Sequence, residues 1–168
     1  RARAKFRRHE YESCRTLNSY RMNRAEAYLA LAEGESSDAL RETLNARKSL
    51  TANRQSTDGD CGRRTAVWRD AELDILSATA LLQLGDLNKA ETFARNAQRS
   101  YRSVFGRKAL QILGQIKLRQ GRFQDALSFA LMAKSEQLKS CVPFTAPERA
   151  EVNRDIALSL AALNQFDH

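Results

Sequence analysis

The sequence predicts an all-α protein built from repeated helical hairpins, and three observations support this. Strong helix formers dominate: the 168 residues include 25 Ala and 21 Leu, whereas Val and Ile together number 8. Residues that interrupt helices are scarce, with 7 Gly and 2 Pro. Finally, a glycine followed five residues later by an alanine occurs at Gly34, Gly85 and Gly121. This composition excludes β-sandwich, barrel and α/β folds, and the length is enough to bury a core.

Each of these glycines is predicted to end one helix and to precede a second. Glycine readily adopts the left-handed conformation that closes a helix. Small residues recur seven positions before, five after and twelve after each glycine, where we expect the two helices of a hairpin to cross closely. These residues are Ala27, Ala39, Ala46, Ala78, Ala90, Ala97, Gly114, Ala126 and Ala133. A weaker fourth copy has Ala157 and, in the glycine position, Asn164, so we expect about three and a half hairpins.

The spacing between the repeats indicates two insertions. Successive glycines are 51 and 36 residues apart, and Asn164 follows Gly121 by 43 residues. The first spacing is the longest, and its extra residues predict a loop insertion near residues 51–64, with residues 54–62 flexible. The extra residues of the last spacing lie near residues 141–147. There Thr145 is predicted to cap a helix, with Pro147 in its first turn and Glu148 completing a capping box.

The pattern of small residues resembles the tetratricopeptide repeat family over residues 14–168. The best match is the segment with Leu113-Gly114, Gly121, Phe123, Ala126 and Ala133. In that segment Lys117 replaces the usual aromatic residue of the family, and Ala130 stands where Phe is frequent. The resemblance implies a right-handed superhelical solenoid of antiparallel helix pairs, in which the first helices line a concave groove that binds protein segments.

The same pattern divides the chain into two parts. Residues 1–13 are predicted to form a basic lead-in segment or helix, and residues 14–168 the repeat domain. The chain starts at Arg1, and its fourth repeat has only a first helix. We therefore expect a piece of a longer protein that is truncated at its C-terminal end.

No arrangement of residues in the sequence favours catalysis. His9 and His168 lie near opposite ends, and the Asp58-Gly59-Asp60 stretch lacks the remaining ligands of a calcium loop. Phosphate-binding and nucleophile-elbow motifs are absent, so we predict no enzyme, no metal and no cofactor. Three widely spaced cysteines and no apolar run of membrane-spanning length favour the cytoplasm, or alternatively the nucleus.

The resemblance also implies which residues line the groove, because ligand-facing positions recur at equivalent places in each first helix. The candidate partner-binding residues are Arg21, Arg24, Tyr28, Thr79, Lys108, Gln111, Gln115, Arg119 and Arg154. Glu72, Ile75, Leu82 and Leu158 occupy neighbouring groove positions. Their basic bias suits a peptide with acidic groups. Of the Lys, Asn and Arg clamp with which some family members hold the acidic tails of chaperones, this chain offers only Asn23 and Lys108.

Basic charge is concentrated in two segments of a chain whose net charge is +8. Residues 1–24 hold eight basic and two acidic residues, and residues 89–122 hold nine basic residues and only Glu91. Arg95, Arg99 and Arg102 are spaced to share one face of a second helix, on the predicted convex side. That basic face provides an alternative site for nucleic acid.

We therefore predict a non-catalytic module that binds a protein or peptide in its groove, as an adaptor, a scaffold or a chaperone-associated factor. Two alternatives remain open. The chain is a peptide-sensing regulatory domain of a larger signalling protein, or a helical repeat that binds nucleic acid through its basic faces. The sequence assigns no oligomeric state.

Overall fold

A computed structural model of the chain describes residues 2–54, 60–100, 104–138 and 145–166, with side chains at 17–51, 68–99, 105–136 and 145–164. Within these residues every regular element is an α-helix. The helices are α1 (Ala2–Glu33), α2 (Ser36–Arg54), α3 (Asp60–Leu84), α4 (Leu87–Ser100), α5 (Val104–Arg119), α6 (Phe123–Leu138) and α7 (Ala146–Phe166). The predicted all-α fold class is confirmed.

The three glycine turns form the hairpins as the sequence predicts. Gly34, Gly85 and Gly121 have φ angles of 81°, 83° and 72°. At the first turn the N–H of Glu35 donates to the carbonyl oxygen of Ala30 at 2.8 Å, and the other two turns repeat this pattern. These bonds satisfy carbonyls at the helix end that would otherwise have no partner. The left-handed glycine therefore reverses the chain within two or three residues.

The predicted crossings lie at the centre of each hairpin. Ala27 and Ala46, for example, are fully buried where α1 meets α2. The equivalent alanines of the α3–α4 and α5–α6 pairs are buried to the same extent, and Gly114 lies against the backbone of Ala126 and Ala130. Ala157, the equivalent residue of α7, is exposed instead. The small side chains allow the close approach of the paired helices, which confirms the assigned repeat register.

The helices form two layers. We call α1, α3, α5 and α7 the A helices, and α2, α4 and α6 the B helices. Each helix packs on the next along the chain, and each A helix also contacts the next A helix. Among the described residues, successive B helices make no such contacts with each other. Because neighbours lie closer together on the inner side of a curved stack, the A layer is the concave side and the B layer the convex side.

The core runs continuously between the layers. Its largest fully buried side chains are Leu73 and Leu76 on α3, Leu113 and Ile116 on α5, and Val152 on α7. Successive clusters share helices, so each hairpin buries its apolar face against its neighbours rather than alone. None of the described helices has the length and apolar character needed to cross a membrane.

The structure also corrects the expected insertion and tests the predicted cap. The loop near residues 51–64 was predicted too long, because α2 continues to Arg54 and α3 begins at Asp60. Asn, Thr and Arg lower helix stability only slightly, so a polar composition did not break these helices. The cap at α7 is confirmed: the N–H of Thr145 donates to Glu148 Oε2 at 2.9 Å, and the N–H of Glu148 donates to Thr145 Oγ1 at 3.5 Å. The boundary drawn after residue 13 falls inside α1.

Candidate functional site

The residues predicted to bind a partner all lie on A helices. Arg21, Arg24 and Tyr28 are on α1, and Thr79 is on α3. The remaining five lie on α5 and α7. The A helices therefore bring the candidates together on the concave surface, which we call the groove. Their side chains differ in whether they are exposed there or are used to join neighbouring helices.

In the first half of the groove, Glu72 of α3 is a buried carboxylate that holds three side chains of α1. Tyr28 donates its hydroxyl to Glu72 Oε1 at 2.9 Å, and Tyr20 donates to Oε2 at 3.2 Å. Arg24 Nη1 lies 3.3 Å from the same Oε2 atom. The ring of Tyr20 also lies under the guanidinium groups of Arg24 and Arg69, at 5.9 and 5.5 Å. Arg24 is thus largely committed to joining α1 to α3.

The ionisation of these groups follows from their burial. Burial, reinforced by the negative charge of Glu72, raises the pKa of Tyr20 to about 12. The same two causes raise the pKa of Tyr28 further above its ordinary value. Both hydroxyls therefore stay protonated at neutral pH and remain donors to the carboxylate. The Tyr28 ring is nevertheless 45% exposed, so its position is fixed while its surface faces the groove.

In the second half, carboxylates of α7 hold polar side chains of α5. Gln111 donates to Glu151 Oε2 at 2.6 Å, and Lys108 Nζ lies 3.3 Å from the same oxygen. One turn further, Gln115 donates to Asp155 Oδ2 at 3.2 Å. Gln111 is only 3% exposed, and its amide joins the two helices.

The two α7 carboxyls have opposite pKa shifts. Burial raises the pKa of Asp155, and the hydrogen bond from Gln115 and the charge of Arg154 offset this only in part. Burial would also raise the pKa of Glu151, but the hydrogen bond from Gln111 and the charge of Lys108 outweigh it and hold this pKa below its ordinary value.

The cations that remain most accessible lie at three places in the groove. Arg21 on α1 is exposed. Arg119 on α5 is exposed and donates one N–H to the carbonyl oxygen of Leu82 on α3. The side chain of Arg154 on α7 is 61% exposed and approaches Asp155 at 3.4 Å. Thr79 is half-buried between them, and its hydroxyl donates to the carbonyl of Ile75 in its own helix. The groove surface therefore presents guanidinium groups, whereas Glu72 and Asp155 are buried.

Sequence reasoning missed Glu151, Asp155 and Tyr20 as parts of this surface. A signal for Glu151 was present: thirteen residues before each glycine or Asn164 stand Arg21, Glu72, Lys108 and Glu151 in turn. At this equivalent position the charge alternates from one A helix to the next. Such alternation indicates attraction between adjacent helices.

Trp68 lies on the same stripe of α3 as Glu72, one turn before it. Its ring meets that of Phe105 on α5 edge to face, with centroids 5.4 Å apart. Trp68 therefore packs between two successive repeats. The residue is also 37% exposed, so α3 adds an accessible aromatic edge to the groove.

The predicted convex basic face is only partly described. Arg95 and Arg99 are exposed on α4, and Arg102 lies outside the described residues. Arg95 makes two hydrogen bonds to Glu91, at 2.7 and 3.0 Å. Arg99 donates to Asn96 Oδ1 at 2.8 Å and to the carbonyl of Arg95. The charge of Arg95 is therefore balanced by a carboxylate, whereas the acceptors that hold the Arg99 guanidinium are neutral.

Among the described residues, two of the open clefts lie outside the groove. One, of about 500 Å³, is bounded by Arg99, Leu110 and Met132 on α4, α5 and α6. The other, of about 450 Å³, lies between the α5–α6 turn and Leu163 of α7. Among the side chains that the structure describes, none of the His, Cys, Asp and Glu residues form a group that could hold a metal ion. The Asp58-Gly59-Asp60 stretch lies outside those side chains.

Comparison with known proteins gives a similarity of fold. No protein-family model matches this sequence, and no curated protein matches it. A crystal structure of a TPR-like protein from Chlorobium tepidum is similar to this chain with a TM-score of 0.68 at 14% sequence identity. The alignment covers 94% of this chain and 99% of that one. At this identity the similarity shows the fold, and it confirms the resemblance stated from the glycine and alanine pattern.

Proposed function

Because the chain has a tetratricopeptide-like fold, we propose that it is a non-catalytic module that binds a segment of a partner protein in the groove. The fold suggests protein partners, and a solenoid offers an extended concave surface for them. The module acts as an adaptor or scaffold, and its preferred segments carry acidic side chains.

The observation that carries this proposal is the unequal exposure of opposite charges in the groove. The carboxylates of Glu72 and Asp155 are buried and are used between helices, and the half-exposed Glu151 is engaged by Gln111 and Lys108. The guanidinium groups of Arg21, Arg119 and Arg154 remain exposed. A ligand in the groove therefore meets mainly positive charge, to which carboxylates can form charge-assisted hydrogen bonds. The exposed Tyr28 ring and Leu158 side chain add apolar area beside these cations.

The test is selection of binders from a random peptide library displayed on phage, followed by calorimetric titration of the selected peptides. Enrichment of Asp and Glu, and binding weakened in Arg21→Gln/Arg154→Gln, would support the proposal. The matched control is Arg95→Gln/Arg99→Gln, which removes the same charge from the convex side and should leave binding unchanged.

The same proteins distinguish nucleic acid as the ligand. A labelled single-stranded oligonucleotide whose binding is lost in the Arg95→Gln/Arg99→Gln variant, and falls steeply with salt, would favour the basic convex face. Selected peptides without acidic residues, or binding indifferent to both double variants, would contradict a basic peptide groove.

A further inference from the structure

The exposed cations of the groove are separated into two groups, and this arrangement bears on the ligand's sequence. On α1, Arg24 pairs with the carboxylate of Glu72, and Arg21 is exposed nearly one turn before it. The second group is Lys108, Arg119 and Arg154 on α5 and α7. Lys108 pairs with Glu151 and Arg154 approaches Asp155, whereas Arg119 donates to the carbonyl oxygen of Leu82. Each group therefore keeps one more cation than carboxylate. We call these the α1 group and the α5–α7 group.

The helix between the two groups has no cation at the positions equivalent to those of Arg21, Arg154 and Arg119, which on α3 are occupied by Glu72, Ile75 and Gln83. Trp68 and Thr79 are also uncharged, and the half-buried Arg69 of α3 lies over the ring of Tyr20, on the α1 side. Trp68 is packed edge to face on Phe105 of α5, and the Tyr28 ring of α1 is held at α3 by its hydrogen bond to Glu72. A neutral strip, with Trp68 on α3 and Tyr28 at its α1 border, thus separates the basic groups.

We propose that the groove selects a bipartite acidic segment, with acidic residues at its two ends and an uncharged, partly apolar stretch between them. This inference rests on the proposed function and specifies its ligand. The acidic ends pair with the α1 group and the α5–α7 group, and the middle packs on Tyr28 and Trp68. A segment whose acidic residues are adjacent can satisfy only one group at a time.

The width of the neutral strip sets the length of the middle stretch. Packed helices lie about 8–10 Å apart, so α1 and α5, with α3 between them, are separated by roughly 16–20 Å. An extended peptide advances about 3.3 Å per residue, so the separation corresponds to about five or six residues. Because Arg and Lys side chains are long, the middle stretch can be longer or shorter by about one residue at each end.

The arrangement is tested with synthetic peptides of equal length, composition and net charge, blocked at both ends. In the split peptide two glutamates stand at each end of about six uncharged residues, including one Leu. In the clustered peptide all the glutamates are adjacent. We expect the split peptide to bind about fivefold more tightly at low ionic strength, because each additional exposed charge pair contributes up to about 1 kcal/mol.

Three variants make the test specific. Arg21→Gln and Arg154→Gln should each remove the preference for the split peptide, whereas Arg95→Gln/Arg99→Gln should preserve it. Thr79→Lys adds a cation to the neutral strip and should raise the affinity of the clustered peptide relative to the split one. This change is a gain of binding, so loss of folding cannot produce it.

The possible failures are distinguishable. Equal affinity for the split and clustered peptides, with both lost in Arg21→Gln/Arg154→Gln, would overturn the bipartite inference and leave the basic groove intact. The absence of binding by any acidic peptide would overturn the acidic preference itself, and the bipartite inference with it.

Discussion

Lys117 of α5 and Glu91 of α4 form an ion pair of 2.7 Å inside the solenoid, at the position where the tetratricopeptide family usually has an aromatic residue. The Lys117 side chain is only 3% exposed, and its Nζ also donates to Gln120 Oε1 at 2.9 Å. Glu91 in turn accepts both hydrogen bonds of Arg95. Burial would raise the pKa of Glu91, but Lys117 and Arg95 outweigh it and lower this pKa. A buried charge pair has therefore replaced apolar packing between two helices.

Glu91→Gln is expected to lower the free energy of unfolding by about 3 kcal/mol, because it leaves a buried ammonium group without its carboxylate. Urea titration monitored by circular dichroism measures the change. In Glu91→Gln/Lys117→Met most of the loss should be regained, since both charges are then absent. The control is Lys89→Gln, which breaks the exposed pair with Asp86 and should change stability by less than about 0.5 kcal/mol. A loss for Glu91→Gln as small as this control would contradict the assignment.

Ala78→Leu is expected to destabilise the chain by about 1–3 kcal/mol, because the larger side chain would separate the crossing helices α3 and α4. Ala126→Leu, at the α5–α6 crossing, should behave similarly. Ala157 has the same position in its repeat as Ala78 but is exposed, so Ala157→Leu is the matched control and should be nearly neutral. Thermal melts of the three variants provide the measurement. If Ala78→Leu and Ala157→Leu melted alike, the repeat register would be wrong.

Two glycines should respond oppositely to alanine. At Gly121 the φ angle is 72°, which an L-residue adopts at a cost of about 1–2 kcal/mol, so Gly121→Ala should destabilise. At Gly114 an added Cβ would lie 3.5 Å from the carbonyl oxygen of Ala126, an ordinary contact. Gly114→Ala should therefore increase stability by up to about 1 kcal/mol through helix propensity. Chemical denaturation of both variants checks the signs, and destabilisation of both would mean that the α5–α6 crossing has no space for a methyl group.

The two carboxyls of α7 should make opposite contributions to the pH dependence of stability. The pKa of Asp155 is higher in the folded chain than in the unfolded one, so its ionisation disfavours folding at neutral pH. Asp155→Asn should therefore be more stable than the parent at pH 7. The difference should vanish at about pH 3, because Asp155 of the parent is then protonated in both the folded and the unfolded chain.

For Glu151 the sign is reversed. Its pKa is lowered by folding, so it contributes stability above its unfolded pKa and loses that contribution as the pH falls through its folded pKa. Glu151→Gln should be less stable than the parent at pH 7 and approach it in acid. Denaturation midpoints of the two variants across this range provide the measurement, and shifts of the same sign would contradict the described contacts.

Much of the groove could be located from the sequence, but the availability of its side chains could not. Arg24, Lys108 and Gln111 were predicted to contact a ligand, because their register places them on the A helices. In the structure these residues contact Glu72 or Glu151 from the adjacent A helix. Sequence spacing specifies the face of a helix, whereas pairing depends on how far apart neighbouring helices lie.

The sequence by itself determined the hairpins, because their causes are local. A left-handed glycine ends the first helix, small residues permit its close crossing with the second, and the Thr145–Glu148 capping box starts α7. Only the tertiary structure decided which charges remain exposed in the groove and which, like Lys117, are buried in pairs. That outcome depends on contacts between side chains 26 to 52 positions apart along the chain, which no local pattern specifies.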